Sequence, residues 1–339
     1  MCRPSPHRPA GAPVSRCTTL LLDSNNEALT ATEASSQRER RADRINHVNA
    51  QQSTPRAGLL YRLYQRRLRR EIDPKRVPGH IAVIVDGNRR WAKLRLQERA
   101  AFGHRAGAKK VPEFLSWCEE AGVKTVTLYL LSADNLGARD SLELQDLFGI
   151  IADLATELAS HDGWCVKHVG SSDGLSEELA AALAAAEGNC AEATHCGPSA
   201  DQVNAQAGQA HSSTRVPKTV DAVKTRLHVN LAVGYCGRSE ITAAVRDIIA
   251  EHQAAGGTIE NLPERLTPET IGEHLWTRGQ ADPDLIIRTS GEQRLSDFMI
   301  WQSAHSEFYF VEALYPDLRE VDFLRALRDY STRHRRLGG

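Results

Sequence analysis

The chain has 339 residues and a formal net charge of -1, with 41% apolar and 25% charged residues. That length suits one large domain or two small ones, and the balanced charge argues against a general nucleic-acid binder, which carries a basic excess. Seven cysteines, odd in number and without a Cys-x-x-Cys pair, fit a reducing, cytoplasmic setting and give no metal-site signal.

Residues 1–57 are rich in Ser, Thr, Pro, Ala, Arg and Gln and lack apolar periodicity. This composition predicts a disordered N-terminal extension or an over-long start. The Leu20–Leu22 patch is too short for a signal-peptide core, and no apolar run reaches the length of a membrane span. Order is expected from residue 58 onward. The stretch Leu59–Leu68 reads as an amphipathic basic helix. Its plain reading is a packing helix with a solvated basic face. Its sharper reading is a peripheral contact with the anionic inner face of the cell membrane.

The run Ile81–Val85 is apolar and β-branched, as in a strand buried on both faces, and predicts a strand over 81–86. It ends in Asp86-Gly87-Asn88, which are turn and helix-start residues. A helix opening at Asn88 aims free N–H groups at an anion, and Arg89 and Arg90 add charge there. Asp86 then stands at the carboxyl end of a strand, where open α/β sheets place their ligands. A carboxylate beside a phosphate cradle predicts a divalent cation, Mg2+.

Strands and helices alternate from Pro78 onward. Further strands are predicted over 123–131, 164–169, 227–233, 284–288 and 306–310, and helices over 105–121, 141–160, 175–187, 238–255, 268–277 and 320–334. This alternation implies an α/β fold, a mostly parallel central sheet flanked by helices. Residues 58–339 are expected to form a single domain. The polar segment 188–226 interrupts the pattern and is expected to be a disordered insertion. His195-Cys196 within it lacks the partners a metal site needs. Farther on, the run Leu285–Ile287 ends on Arg288. A turn with Ser290 and Gly291 follows, then Glu292 and Arg294, and Glu307 closes the block. Two arginines on either side of a Gly-containing turn at a strand end form a phosphate grip.

Together these motifs resemble the cis-prenyltransferases, the undecaprenyl diphosphate synthase family. The resemblance covers 58–339 outside 188–226. It rests on the motifs at 80–92 (His-Ile-Ala-Val-Ile-Val-Asp-Gly-Asn-Arg-Arg-Trp-Ala), 103–107 (Gly-His-Arg-Ala-Gly), 130–135 (Leu-Leu-Ser-Ala-Asp-Asn), 234–238 (Gly-Tyr-Cys-Gly-Arg), 284–294 (Asp-Leu-Ile-Ile-Arg-Thr-Ser-Gly-Glu-Gln-Arg) and 335–339 (Arg-Arg-Leu-Gly-Gly). It implies a fold with a hydrophobic tunnel and an enzyme that joins an allylic diphosphate to isopentenyl diphosphate with a new Z double bond. It assigns Mg2+ to Asp86, with Glu307 assisting the metal or a neighbouring-subunit contact. It places the allylic diphosphate on Gly87, Asn88, Arg89, Arg90 and the adjacent Trp91. Isopentenyl diphosphate falls to Arg288, Arg294 and Ser296. His104 and Asn135 match positions linked to diphosphate handling and proton removal, and Ser132 shares their strand-end loop. Arg99 is the match to a phosphate-binding Arg, and Arg139 matches another, one residue later than usual. Arg336 and Gly338 match an Arg-x-Gly tail that reaches the partner's active site, which implies a homodimer.

Leu130 falls where long-chain members carry a small residue on the tunnel floor. The Leu131-Ser-x-x-Asn-Leu136 variant and residues 328–336 look like the short-chain (2Z,6E)-farnesyl diphosphate synthases of actinobacteria. The implied reaction is geranyl diphosphate plus isopentenyl diphosphate. Two alternatives stay open. One is a long-chain decaprenyl or undecaprenyl diphosphate synthase, against which Leu130 speaks. The other is a non-catalytic partner subunit, against which Asp86, Arg288 and Arg294 speak. A nucleotide-binding Rossmann protein is excluded, because no Gly-x-Gly-x-x-Gly follows the first strand.

Overall fold

A computed structural model describes residues 58–97, 99–191 and 227–333. The expectations for 1–57, for the insertion beyond Ala191 and for Arg336 and Gly338 lie outside the described residues. The described residues from Leu63 onward form one compact unit.

Strands β1 (His80–Ile84), β2 (Thr125–Ser132), β3 (Trp164–Val169), β4 (Leu227–Tyr235), β5 (Leu285–Arg288) and β6 (Glu307–Phe310) make one sheet among the described residues. Its order is β3-β4-β2-β1-β5-β6, and every pairing is parallel. The α/β expectation is therefore met. All five residues of β1 are buried. Ile81 and Val83 enter one core, while Ala82 and Ile84 enter a second on the other face. A strand sandwiched between two cores has to be apolar throughout, and that produces the unbroken run.

Helices α1 (Leu59–Glu71), α2 (Asn88–Leu94), α3 (Ala100–Ala121), α4 (Ala133–Ala138), α5 (Ser141–Ala159), α6 (Glu177–Ala191), α7 (Gly237–Ala254), α8 (Pro268–His274) and α9 (Glu320–Thr332) surround the sheet. On α5, Leu147, Ile151, Leu154 and Leu158 are buried, one stripe at helical spacing. α3 contributes Val111, Phe114, Leu115 and Cys118 to the same core. Leu68 of α1 is fully buried, and Arg325 lies over the Tyr64 ring at 5.3 Å. One face of α1 thus packs against α9, as the plain reading expects.

Several boundaries differ from expectation, for tertiary reasons. β1 stops at Ile84 because Asp86 N turns back to Ile84 O and to Thr289 Oγ1. α3 starts at Ala100 rather than 105. Its first turn carries no side-chain cap but is held by Phe102, which stacks on Trp91 at 5.7 Å. α4 was not expected. Ser132 caps it by accepting from Asn135 N at 3.2 Å. α6 continues past 187 to Ala191.

The sheet order has a switch point. From β1 the chain steps to β2 on one side and later to β5 on the other. Ile84, Tyr129 and Arg288 stand level across the three strands. The crevice beyond their carboxyl ends is where an open α/β sheet binds ligands.

The Gly-x-x-x-Gly spacing on α3 sets one wall of that crevice. A Cβ on Gly103 would lie 2.0 Å from Asn88 O, and one on Gly107 would lie 2.5 Å from Asn88 Oδ1. Both glycines lie one turn apart on the same helix face and let α2 sit directly on α3. Gly103→Ala should therefore overpack this contact and lower the unfolding free energy by roughly 1–3 kcal/mol. Urea denaturation of the variant against the parent chain measures this, and an unchanged midpoint would refute it.

Candidate active site

Asp86 and Arg288 meet where β1 and β5 end. Asp86 Oδ2 accepts from Arg288 Nη2 at 2.8 Å, and its Oδ1 accepts from Gly87 N at 2.6 Å. The Thr289 hydroxyl donates to Asp86 O at 2.8 Å and accepts from Asp86 N at 3.0 Å. Burial alone would raise the Asp86 carboxyl, but the Arg288 hydrogen bond and charge hold it below the ordinary range. Gly87 turns the chain with φ +103, where a Cβ would meet Leu314 at 2.8 Å. Only glycine combines that backbone with that close approach.

Arg288 is 4% exposed and works in two directions. While Nη2 holds Asp86, Nη1 donates to Ser296 Oγ at 2.9 Å and to the Arg294 carbonyl. Its buried Nε has no partner among the described residues. Arg90 donates to Ser290 O at 3.3 Å, so the α2 start and the turn after β5 are joined as well. Ser296, Asp297 and Met299 all have φ between +47 and +62. Each such non-glycine residue costs on the order of 1 kcal/mol or more.

These groups face a cavity of about 580 Å3. It is lined by Asp86, Gly87, Asn88, Arg89, Arg90, His104, Leu130, Ser132, Asn135, Arg139, Arg288, Arg294 and Ser296, all of them expected. Tyr129, Asp134, Arg238 and Asp297 line it too, without having been assigned a role. Six arginines against three aspartates leave the described wall cationic, which suits a polyanion. Buried Arg139 Nε and Asn88 Oδ1 also lack partners among the described residues. Buried polar atoms without partners are uncommon, and the two unpartnered arginine donors, Nε of Arg139 and of Arg288, fit an anion such as diphosphate, whereas Asn88 Oδ1 can only accept.

Three expected residues stand elsewhere. Trp91 stacks on Phe102 and under Arg95, whose guanidinium is 4.2 Å from the ring, and does not line the cavity. Arg99 precedes α3, is 73% exposed, and pairs with Asp146 at 2.6 Å. Glu307 begins β6 opposite Leu285, three residues before the level of Arg288. At about 3.3 Å per residue it lies about 10 Å along the strand from that level, and it pairs with Arg333 at 2.6 Å. Within one chain it does not join Asp86. Among the described residues no three His, Cys, Asp or Glu side chains cluster as a ready metal cage. Of the two residues expected to hold the cation, Asp86 is the one that lines the cavity. One carboxylate supplemented by phosphate oxygens and water is a donor set that Mg2+ accepts.

Leu130 owes its position to a β-bulge. Tyr129 pairs with Ala232, Leu131 with Val233 and Ser132 with Tyr235, so Leu130 is passed over on β2 and Gly234 on β4, and the two shifts cancel. Leu130 and Leu131 both pack on the core that holds Leu128, which regular alternation would forbid.

On the opposite wall, Arg139 Nη1 donates to Glu143 Oε1 at 2.7 Å and to His104 Nε2 at 3.2 Å. A guanidinium can only donate, so Nε2 carries a lone pair and the ring is neutral. Burial, then the Arg139 charge, lower the His104 pKa to about 4. A histidine buried neutral binds fewer protons than it would unfolded. Its stabilisation is complete above about pH 6.5 and is lost as pH falls towards 4. The loss should be on the order of 3 kcal/mol. Urea midpoints from pH 7 to 4.5 should fall steeply in the parent chain and less in His104→Gln. Parallel slopes would refute the buried neutral ring.

Residues 84–197 and 201–338 match the family described as "Putative undecaprenyl diphosphate synthase". "Isoprenyl transferase 2" of Tropheryma whipplei is 49% identical over 280 residues, 83% of this chain and 95% of that protein. A protein of Mycolicibacterium smegmatis named "(2Z,6E)-farnesyl diphosphate synthase" is 44% identical over 284 residues, covering 82% and 95%. Among solved structures, lavandulyl diphosphate synthase from Lavandula x intermedia, in complex with dimethylallyl diphosphate, aligns with a TM-score of 0.64 at 31% identity. That alignment covers 78% of this chain and all of the other. With the parallel sheet, the switch-point cavity and these matches in agreement, the chain belongs to the cis-prenyltransferase family of enzymes.

Proposed function

We propose that this chain joins geranyl diphosphate to isopentenyl diphosphate, giving (2Z,6E)-farnesyl diphosphate and diphosphate. The observation that carries this reading is the Asp86–Arg288 pair at the switch point, with a cationic cluster on each side of it. Two diphosphates held side by side bring the allylic carbon of one substrate to the double bond of the other. The relative named for this product supports its length.

Gly87 to Arg90 receive the allylic diphosphate on the free N–H groups that open α2, and Arg139 and His104 close over it. Arg294 and Ser296 hold isopentenyl diphosphate, with the free Nε of Arg288 between the two. Departure of the allylic diphosphate builds negative charge, and donors already in place stabilise it without reorganising. Mg2+ held by Asp86 would supply Lewis-acid stabilisation of the same charge. Asn135 lines the cavity beside the capped Ser132 and assists removal of the proton from the condensing carbon. The apolar side of β2 and α5 excludes water from the allylic cation.

Leu130 bounds this apolar wall and stops growth after one addition. The chain works as a homodimer. Arg336 and Gly338 of each subunit reach the neighbouring site, and Glu307, on edge strand β6, serves the subunit contact rather than the metal. α1 presents exposed Leu63, Arg66, Arg67 and Arg70, which supports a peripheral hold on an anionic membrane from the cytoplasm.

With geranyl diphosphate and isopentenyl diphosphate supplied, a time course should show C15 as the main product. Leu130→Ala should shift it to longer chains. Mostly C50 or C55 product from the parent chain would sink the short-chain reading. Asp86→Ala should lower turnover by roughly a hundredfold or more, and chelation should abolish activity that added Mg2+ restores. Full turnover of the variant would overturn the assigned role of Asp86.

A further inference from the structure

The turn that carries Ser296 is fastened to the start of α7 by one residue. Asp297 O accepts from Gly237 N at 2.9 Å. Asp297 Oδ2 accepts from the Cys236 thiol at 2.6 Å, and Oδ1 pairs with Arg238 Nε at 3.3 Å. The side chain is 13% exposed, so both carboxylate oxygens meet donors from the first residues of one helix. Ser296 and Asp297 have φ +50 and +62. Left-handed backbone at two consecutive non-glycine residues persists only where the surroundings enforce it, and here Asp297 does so together with Arg288 on the Ser296 hydroxyl and the Tyr129 hydroxyl, which donates to Ser296 O at 3.3 Å. Arg238, 73% exposed, is paired with this carboxylate and lines the cavity with Arg294 and Ser296.

We propose that Asp297 is a positioning residue for the isopentenyl diphosphate site and that it presents Arg238 to the same diphosphate as a further binding residue. The ligand named here rests on the assignment of the two diphosphates made above. An aspartate within a cationic wall weakens anion binding unless it organises cations. Here it gives up its charge to Arg238 and fixes the backbone that aims Ser296 and Arg294. The guanidinium keeps its other nitrogens free for phosphate oxygens.

Steady-state kinetics with each substrate varied in turn test this. Arg238→Gln, at an exposed position, should raise KM for isopentenyl diphosphate about tenfold. Its kcat and its KM for geranyl diphosphate should stay within about twofold. Asp297→Ala should raise the same KM at least as much, and Asp297→Asn, which keeps one acceptor oxygen, should recover most of the loss. Arg294→Ala marks the site independently. If Arg294→Ala raises KM for isopentenyl diphosphate while Arg238→Gln and Asp297→Ala leave it unchanged, the proposal is wrong and the site assignment stands. If Arg294→Ala raises KM for geranyl diphosphate instead, the assignment itself falls, and the ligand named here with it. Equal losses in kcat and both KM values for Asp297→Ala, without recovery in Asp297→Asn, would reduce Asp297 to a structural residue.

Discussion

The ion pair between Asp86 and Arg288 is the constraint on which the rest of the site depends. It joins the ends of two neighbouring parallel strands, and Arg288 is almost wholly buried. Burying such a pair costs desolvation, and its net contribution to stability is small or negative. What it supplies is position. One guanidinium holds the Asp86 carboxylate on one side and the Ser296 hydroxyl on the other. The two halves of the cavity therefore share one hinge of charge, and neither can move without the other.

Around that hinge the protein keeps donors idle. Nε of Arg139 and Nε of Arg288 are buried without partners among the described residues. His104 is held neutral beside Arg139, so the wall gains an aromatic nitrogen without gaining a proton. Consecutive left-handed residues at 296 and 297 add backbone strain. A sheet sealed by two apolar cores tolerates these local costs, because burial of strands such as β1 offsets them.

What could be read from sequence divides along physical lines. The buried strand β1, its Asp86 turn and the Arg288 strand end were legible because double-faced burial forces an unbroken apolar run. Their partnership was less so, since 202 residues separate the two side chains. Trp91 and Arg99 stand off the cavity wall. They sit in or near the motif, yet α2 turns Trp91 toward Phe102, and Arg99 points at α5. Which of its two expected roles Glu307 could take was not legible, because strand register, which sets its height, is invisible in a single chain. Arg238 was within reach, since its motif ends β4 at the sheet's carboxyl edge. Asp297 was not, because nothing local announces a carboxylate that pairs with a helix start 59 residues earlier.

The bulge at Leu130 separates two properties that a regular strand would bind together. In an unbroken ladder, any change that re-aims one side chain re-aims every residue after it. Here Leu130 on β2 is balanced by Gly234 on β4, and the original register returns at Ser132 opposite Tyr235. The irregularity is confined to 130–131 and 234, so it re-aims Leu130 and Leu131 while Ser132 keeps the register set by Thr125–Tyr129. The side chains of the apolar wall are thereby set apart from the register that places the polar residues at the strand end.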